Sequence, residues 1–288
     1  MTQNRICITT DCVCDLPDEM IRNNNVDIIY FYVETDSGRF RDVDEITAQN
    51  IFDYLKNGGS KVITAPASVE DTESFFAEKL LEYDSMIHIA VSSKLSKFVD
   101  NALQAAKNLG DDGKRIHIVD SRQISTSIGH MVLRAAQMVK DGSSCEQIIA
   151  EMEAMRDKLS TSFMADSADF LYRNGKVTKK VQQLCSFLRI HPVLSMKNGC
   201  LKLSSCYMGN YEQCMRLYIR RELKKHKNID TKRLFITHAS CTAKDIKSAK
   251  KEIDRIISFD EVIVTNASAT ISGNSGPRTL GLFFIKEQ

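Results

Sequence analysis

Ser85-Met86-Ile87-His88-Ile89-Ala90-Val91-Ser92-Ser93 is a short, continuous apolar run that ends in hydroxyls. A run without polar alternation fits a parallel strand buried on both faces. Residues 93–109 then carry a helical pattern, so the hydroxyls stand where a strand hands over to a helix. The same rhythm extends both ways along the chain. Towards the amino terminus, 5–10 and 26–33 read as strands, and 47–56 and 69–83 as helices. On the other side follow a strand at 115–119 and helices at 124–140 and 144–159. Strands alternating with helices imply a doubly wound sheet.

Beyond residue 160 the pattern changes. Residues 162–165, 201–207, 233–238, 261–264 and 282–285 read as strands, with 201–207 alternating as a sheet edge does. Residues 169–172 and a turn at Asn174-Gly175 come next, and helices are expected at 178–187, 210–225 (capped by Asn210) and 243–257. The expectation is therefore a two-domain α/β chain. Residues 1–160 form a parallel-sheet domain and 161–288 a smaller α+β domain. No repeat and no low-complexity linker separates them, so the halves are expected to pack tightly.

The charge balance is 39 basic against 37 acidic residues, too even for a nucleic-acid surface. The run Arg220, Arg221, Lys224, Lys225 and Lys227 reads as a solvated helix face, and the absence of Trp argues against a base-stacking platform. No signal peptide and no apolar stretch near the ~20 residues of a membrane helix are read, so a cytoplasmic location is expected. The nine cysteines then read as thiols serving as small buried hydrophobes, without zinc spacing.

The candidate chemistry lies at junctions. Pro17, Pro66, Pro192 and Pro277 are each read as marking a turn between elements. Ser92 and Ser93 offer hydroxyls, either to an anion beyond the carboxyl end of a strand or as caps of the next helix. In Thr64-Ala65-Pro66-Ala67-Ser68, Ser68 is the N-cap of the next helix. Thr64 has no such duty: it is free to face a ligand, while spacing alone favours a solvated loop residue. Ser272-Gly273-Asn274-Ser275-Gly276-Pro277-Arg278 reads as a loop making a tight bend, without the spacing of a phosphate cradle. Asp11 and Asp15 are candidates for cation or acid–base chemistry, with turn and cap duty the favoured reading. His88 and His117 read as satisfied strand residues. No nucleophile–base pair, metal-ligand set or cofactor motif is found.

In order along the chain, these segments resemble the DegV family. They are Ile8-Thr9-Thr10-Asp11, Asp15-Leu16-Pro17, Arg41-Asp42-Val43-Asp44, Thr64–Ser68, Ser92-Ser93-Lys94-Leu95-Ser96, Val119-Asp120-Ser121 and Ile128-Gly129. Phe170-Leu171-Tyr172-Arg173-Asn174-Gly175-Lys176, His191-Pro192-Val193-Leu194, Gly276-Pro277 and Leu280-Gly281 complete the series. Each segment is weak alone; their colinear order is strong. The resemblance implies a long-chain fatty acid held in a cleft between the two domains. Its carboxylate would meet the hydroxyls of Thr64 and Ser93, with Ser92 beside them, and the acid would be presented to a separate fatty acid kinase subunit. It implies a lipid-binding protein with no cofactor, not an enzyme, and peripheral membrane contact during lipid exchange.

The chain departs from the family where the head group is expected. Met208 stands where the family commonly has Arg, and Asn274 where it has His. Arg278 replaces the usual Gly after Gly276-Pro277, and Ser96-Lys97-Phe98 replaces Ser-Gly-Thr. Loss of an Arg removes a charge-assisted donor worth roughly 1.5–3 kcal/mol. Asn274 then donates a neutral hydrogen bond, or Arg278 or Lys97 supplies the charge, or the ligand has changed. The alternatives are a phosphoryl-transfer enzyme acting on a small metabolite through Asp11 and Asp15, and a regulatory paralogue with an altered ligand.

Overall fold

The computed structural model describes residues 5–175 and 177–287, which leaves Lys176 of the family-like segment outside the described residues. The first half runs β1 (Ile6–Asp11), α1 (Asp18–Asn23), β2 (Val26–Ile29), β3 (Tyr32–Thr35), β4 (Gly38–Arg41) and α2 (Ala48–Lys56). It continues through β5 (Ile63–Ala65), α3 (Val69–Leu80), β6 (Ser85–Ala90), α4 (Phe98–Asn108), β7 (Ile116–Asp120), α5 (Thr126–Lys140) and α6 (Cys145–Lys158). Four of the strands pair in parallel in the order β2-β1-β6-β7. Every residue of β1 and β6 is buried, as continuous apolar strands require.

The second half contains β8 (Leu159–Met164), α7 (Asp169–Arg173), α8 (Lys179–Phe187), β9 (Ile190–Lys197) and β10 (Cys200–Met208). Then come α9 (Tyr211–Lys224), β11 (Ile229–Ala239), α10 (Ala243–Asp254), β12 (Glu261–Asn266), α11 (Ala269–Ser275) and β13 (Thr279–Lys286). Its six-stranded mixed sheet has the order β10-β9-β8-β13-β11-β12. The two-domain α/β class read from the sequence is the observed one.

Helix α5 joins the two sheets. It packs on β1 on one side and on β8 and β13 on the other. Eleven of its residues are buried, His130 among them. The His130 ring meets Phe235 edge-on at 4.9 Å, and its Nε2 lies 3.2 Å from the Phe283 carbonyl. Phe235 and Phe283 of the second sheet thereby join the apolar core of the first.

Several expected elements differ. The strand expected over 26–33 is two strands in different sheets: β2 stays with β1, while β3 leaves to form a small antiparallel sheet, β4-β3-β5. Phe31 makes the break. Its ring is buried 5.1 Å from Phe98, its amide donates to Cys12 Sγ, and its carbonyl accepts from Asp42 N. The helix expected from 93 begins at Phe98, and its N-cap, Lys97, makes no side-chain cap bond. Ser92 and Ser93 therefore neither open nor cap it.

Pro192 lies inside β9, not between elements. Its carbonyl accepts from Ala165 N at 3.0 Å, but proline cannot return the bond, and the β8–β9 pairing ends at Met164 and Val193. The 272–278 loop is largely helix: α11 runs to Ser275 and stops at Gly276, where φ is 89°. Among the basic residues of α9, Arg220 is paired with the buried Glu252. Five cysteines are buried, and Cys206 is exposed.

Candidate functional site

Helix α11 is the centre of the site. Two buried aspartates from the first half hold its start. Asp42 accepts from the amides of Ala269 and Thr270 at 2.7 and 2.8 Å. Asp15 accepts from Ser268 N at 2.8 Å and from Ser125 Oγ at 2.5 Å. A carboxylate at a helix start satisfies orphan N–H groups and opposes the positive end of the dipole. Burial nonetheless lifts the Asp15 carboxyl to about 7, against the pull of its donors, and raises Asp42.

Asp11 is also buried. Its Oδ2 accepts from Val91 N at 2.7 Å, and burial lifts its carboxyl to about 7. Both Asp11 and Asp15 thus anchor one element to another, which corrects the turn-and-cap expectation. Among the described residues, no group of three or more His, Cys, Asp or Glu could hold a metal ion. His88 is only half satisfied: Nδ1 lies 2.8 Å from Thr9 Oγ1, Nε2 has no partner among the described residues, and burial pushes the ring down to about 3.

One flank of α11 lies against β5 and α2. Asn274 Nδ2 donates to Thr64 Oγ1 at 3.2 Å, joining two residues expected at the head group. Gly273 permits this approach, since a Cβ there would come within 3.3 Å of Val62 Cγ1 and 3.8 Å of Thr64 Cγ2. Helix α7 covers the far end of α11. Asn174 Nδ2 lies 3.3 Å from the Gly273 carbonyl, and Phe170 packs against Gly276 and Phe52.

The other flank faces an apolar seam between α11 and the second sheet. Ile271 and Ser275, one helical turn apart, line it with Ile124, Phe163, Ala239 and Phe283. The seam is nearly closed, with a cavity of about 20 Å³.

The remaining expected residues lie elsewhere. Ser93 is exposed and donates its hydroxyl to Asp120 Oδ2 at 2.6 Å. Ser92 is buried and donates to the Gly199 carbonyl at 2.7 Å, pinning the β9–β10 turn. None of these bonds reaches Thr64 or Asn274. Met208 ends the edge strand β10 with 68% of its surface exposed.

Arg278 makes a two-toothed pair with Asp245 at 2.9 and 3.0 Å and lies over the Tyr211 ring at 4.1 Å. Its φ of 59° is the left-handed region that glycine occupies without strain. The ion pair and the stacking offset that cost. Arg278 lines a polar cleft of about 460 Å³ with Asp166, His191 and Lys244. Neither Thr64 nor Asn274 lines it.

Sequence reasoning missed Asp42 as an anchor of α11, and Ser275 and Phe163 as walls of the seam. The i,i+4 spacing of Ile271 and Ser275 was the available signal, hidden by two glycines that read as a loop.

A family model described as "Uncharacterised protein, DegV family" matches residues 5–287. A DegV domain-containing protein of Caldanaerobacter subterraneus subsp. tengcongensis is 26% identical over 284 residues, spanning 97% of this chain and 98% of the relative. Among solved structures, a DegV family protein from Thermus thermophilus, described by its fatty acid binding, superposes with a TM-score of 0.85 at 27% identity. That match covers 98% of this chain and all of the other. The Streptococcus pneumoniae fatty acid kinase (Fak) B3 protein, loaded with linoleic acid, shares the fold with a TM-score of 0.83 at 17% identity. Coverage is again 98% of this chain and 100% of that one.

Proposed function

Because the chain belongs to the DegV family, we propose that it binds a long-chain fatty acid between two domains that divide near residue 160. The observation that carries this reading is the double duty of α11. One flank brings Asn274 to Thr64 at 3.2 Å; the other turns Ile271 to the apolar seam. The Thr64 hydroxyl supplies a neutral donor to the carboxylate, oriented by Asn274, whose amide nitrogen donates to it and to the Thr270 carbonyl at 2.9 Å, and the acyl chain follows the seam. Each buried CH₂ contributes about 0.8 kcal/mol, so a long chain compensates for a head-group site without a guanidinium. The chain enters only as the seam walls part, since the closed seam has room for about one water. Ser93 joins the head group only on releasing Asp120; Ser92, bonded to Gly199, keeps the neighbouring turn in place.

Presentation of the acid to a separate kinase subunit follows from the family resemblance and agrees with the shared fold of the fatty acid kinase B3 protein. Membrane contact for lipid exchange falls to α8. None of its residues is buried, and Val181, Leu184, Phe187 and the adjoining Leu188 are all exposed beside Lys179 and Lys180. An apolar face flanked by lysines suits the headgroup boundary of an anionic bilayer. No helix among the described residues is long and apolar enough to cross a membrane.

Native mass spectrometry of the protein purified from cells, followed by lipid extraction, tests the reading. A stoichiometric fatty acid that is lost in a Thr64→Ala/Asn274→Ala double variant supports it. A protein that stays clean after incubation with mixed long-chain acids overturns it.

A further inference from the structure

The seam carries a feature that a purely hydrocarbon ligand does not explain. Among the described residues, Ser275 is 7% exposed and its Oγ has no hydrogen-bond partner, yet it stands on the cavity wall. The other hydroxyls on that wall are engaged. Ser125 donates to Asp15, Thr237 exchanges bonds with Thr126 and Thr265, and Thr279 donates to the Ser275 carbonyl. The rest of the wall is largely apolar, with Phe163, Ile271 and Phe283 close by.

A buried hydroxyl without a partner destabilises its surroundings, and alanine would fill this place better against a saturated chain. In the closed seam the Oγ is shut off from water as well. A methylene chain would leave it unpaired, whereas a ligand oxygen would give it the missing bond.

We propose that Ser275 is a specificity-determining residue that hydrogen-bonds an oxygen on the acyl chain, so that the seam selects hydroxylated fatty acids over plain ones. This rests on the fatty-acid reading and narrows its ligand class. A site built to bond a ligand hydroxyl rejects an analogue that lacks it more strongly than an apolar pocket rejects a missing methylene. A single such bond, made where the alternative is an orphaned group, corresponds to roughly 5- to 100-fold in affinity.

The test compares stearic acid with monohydroxystearic acids, hydroxylated at different carbons, by calorimetric titration of the delipidated full chain. At least one hydroxy acid should bind roughly 5- to 100-fold tighter than stearic acid. Ser275→Ala should abolish that advantage by weakening the hydroxy acid, with stearic acid bound at least as tightly as by the parent, and Ser275→Thr should restore it. Unliganded Ser275→Ala should melt no lower than the parent, since it loses an unpaired hydroxyl, not a contact. Equal binding of plain and hydroxylated acids overturns the proposal, as does a preference that survives in Ser275→Ala. An equal loss of both ligands in Ser275→Ala also overturns it, by assigning the hydroxyl to the carboxylate. If no acid of either kind binds, the fatty-acid reading falls with it.

Discussion

Replacing Asp15 by Asn should make the protein more stable at neutral and mildly alkaline pH, although Asp15 holds two good hydrogen bonds. The carboxyl is fully buried and lifted to about 7. In the unfolded chain it titrates near 3.9, roughly three units lower. A group whose folded pKa is raised gives its full contribution below the unfolded pKa and loses it as pH rises through the folded one. Between about pH 4 and 7 the native state therefore holds up to one extra proton at this site, and stability falls by about 1.4 kcal/mol per pH unit. Over that window the loss reaches about 4 kcal/mol.

Asparagine does not titrate. It keeps an acceptor for Ser268 N and turns an amide donor to Ser125 Oγ. Parent and variant should be nearly equal near pH 4, with the variant ahead by up to about 4 kcal/mol near pH 8. The parent curve alone is not diagnostic. Asp11, also lifted to about 7, slopes the same way, while His88 and His130, pushed down to about 3 and 4, slope oppositely at acid pH. The difference between parent and variant removes those slopes and leaves Asp15 together with its repulsion of the buried Asp42. Urea unfolding followed by circular dichroism across that pH range measures it. A difference that does not change with pH, or a variant that is the weaker at pH 8, refutes the reasoning. Either result would mean that Ser125 and Ser268 outweigh the cost of burial.

Met208→Arg should leave the affinity for a long-chain acid unchanged in calorimetry, since residue 208 ends the exposed edge of β10 away from Thr64 and Asn274; a gain of about 10- to 100-fold would place it at the head group after all. Gly276→Ala should cost about 1–3 kcal/mol in denaturant unfolding, because φ is 89° and a Cβ would come within 2.7 Å of Phe170. Leu184→Glu/Phe187→Glu should abolish flotation with anionic vesicles while leaving the melting curve within a few degrees of the parent. Retained flotation would remove α8 from the membrane contact.

The first sheet was legible because continuous apolar strands such as Ile6–Asp11 and Ser85–Ala90 have few alternatives. The division of 26–33 between two sheets was not, since the break at Phe31 depends on Phe98, Cys12 and Asp42, all distant in sequence. The helix expected from Ser93 failed for a similar reason: Ser93 is held by Asp120 and Ser92 by Gly199, which keeps residues 92–97 out of the helix. For the site, the resemblance pointed to both Thr64 and Asn274, and the structure joins them. Arg278, offered with Lys97 as one alternative for the missing charge, is instead held by Asp245. Pairing of this kind leaves no periodic trace in a sequence.

The order of strands in the second sheet also fixes a timetable for synthesis. β13 sits between β8 and β11, so residues 279–286 bridge strands made much earlier. A nascent chain can shape β8, β9 and β10 as one piece and β11 with β12 as another, but the two stay separate until β13 leaves the ribosome. At ordinary elongation rates the wait after β8 is about ten seconds. During that interval the seam lacks Gly281 and Phe283, and Leu234, Ile236 and Met164 lack their neighbours Phe284, Leu282 and Leu280 across the sheet. Ribosome-bound intermediates halted before residue 279 are therefore where chaperone capture, or loss to aggregation, should concentrate.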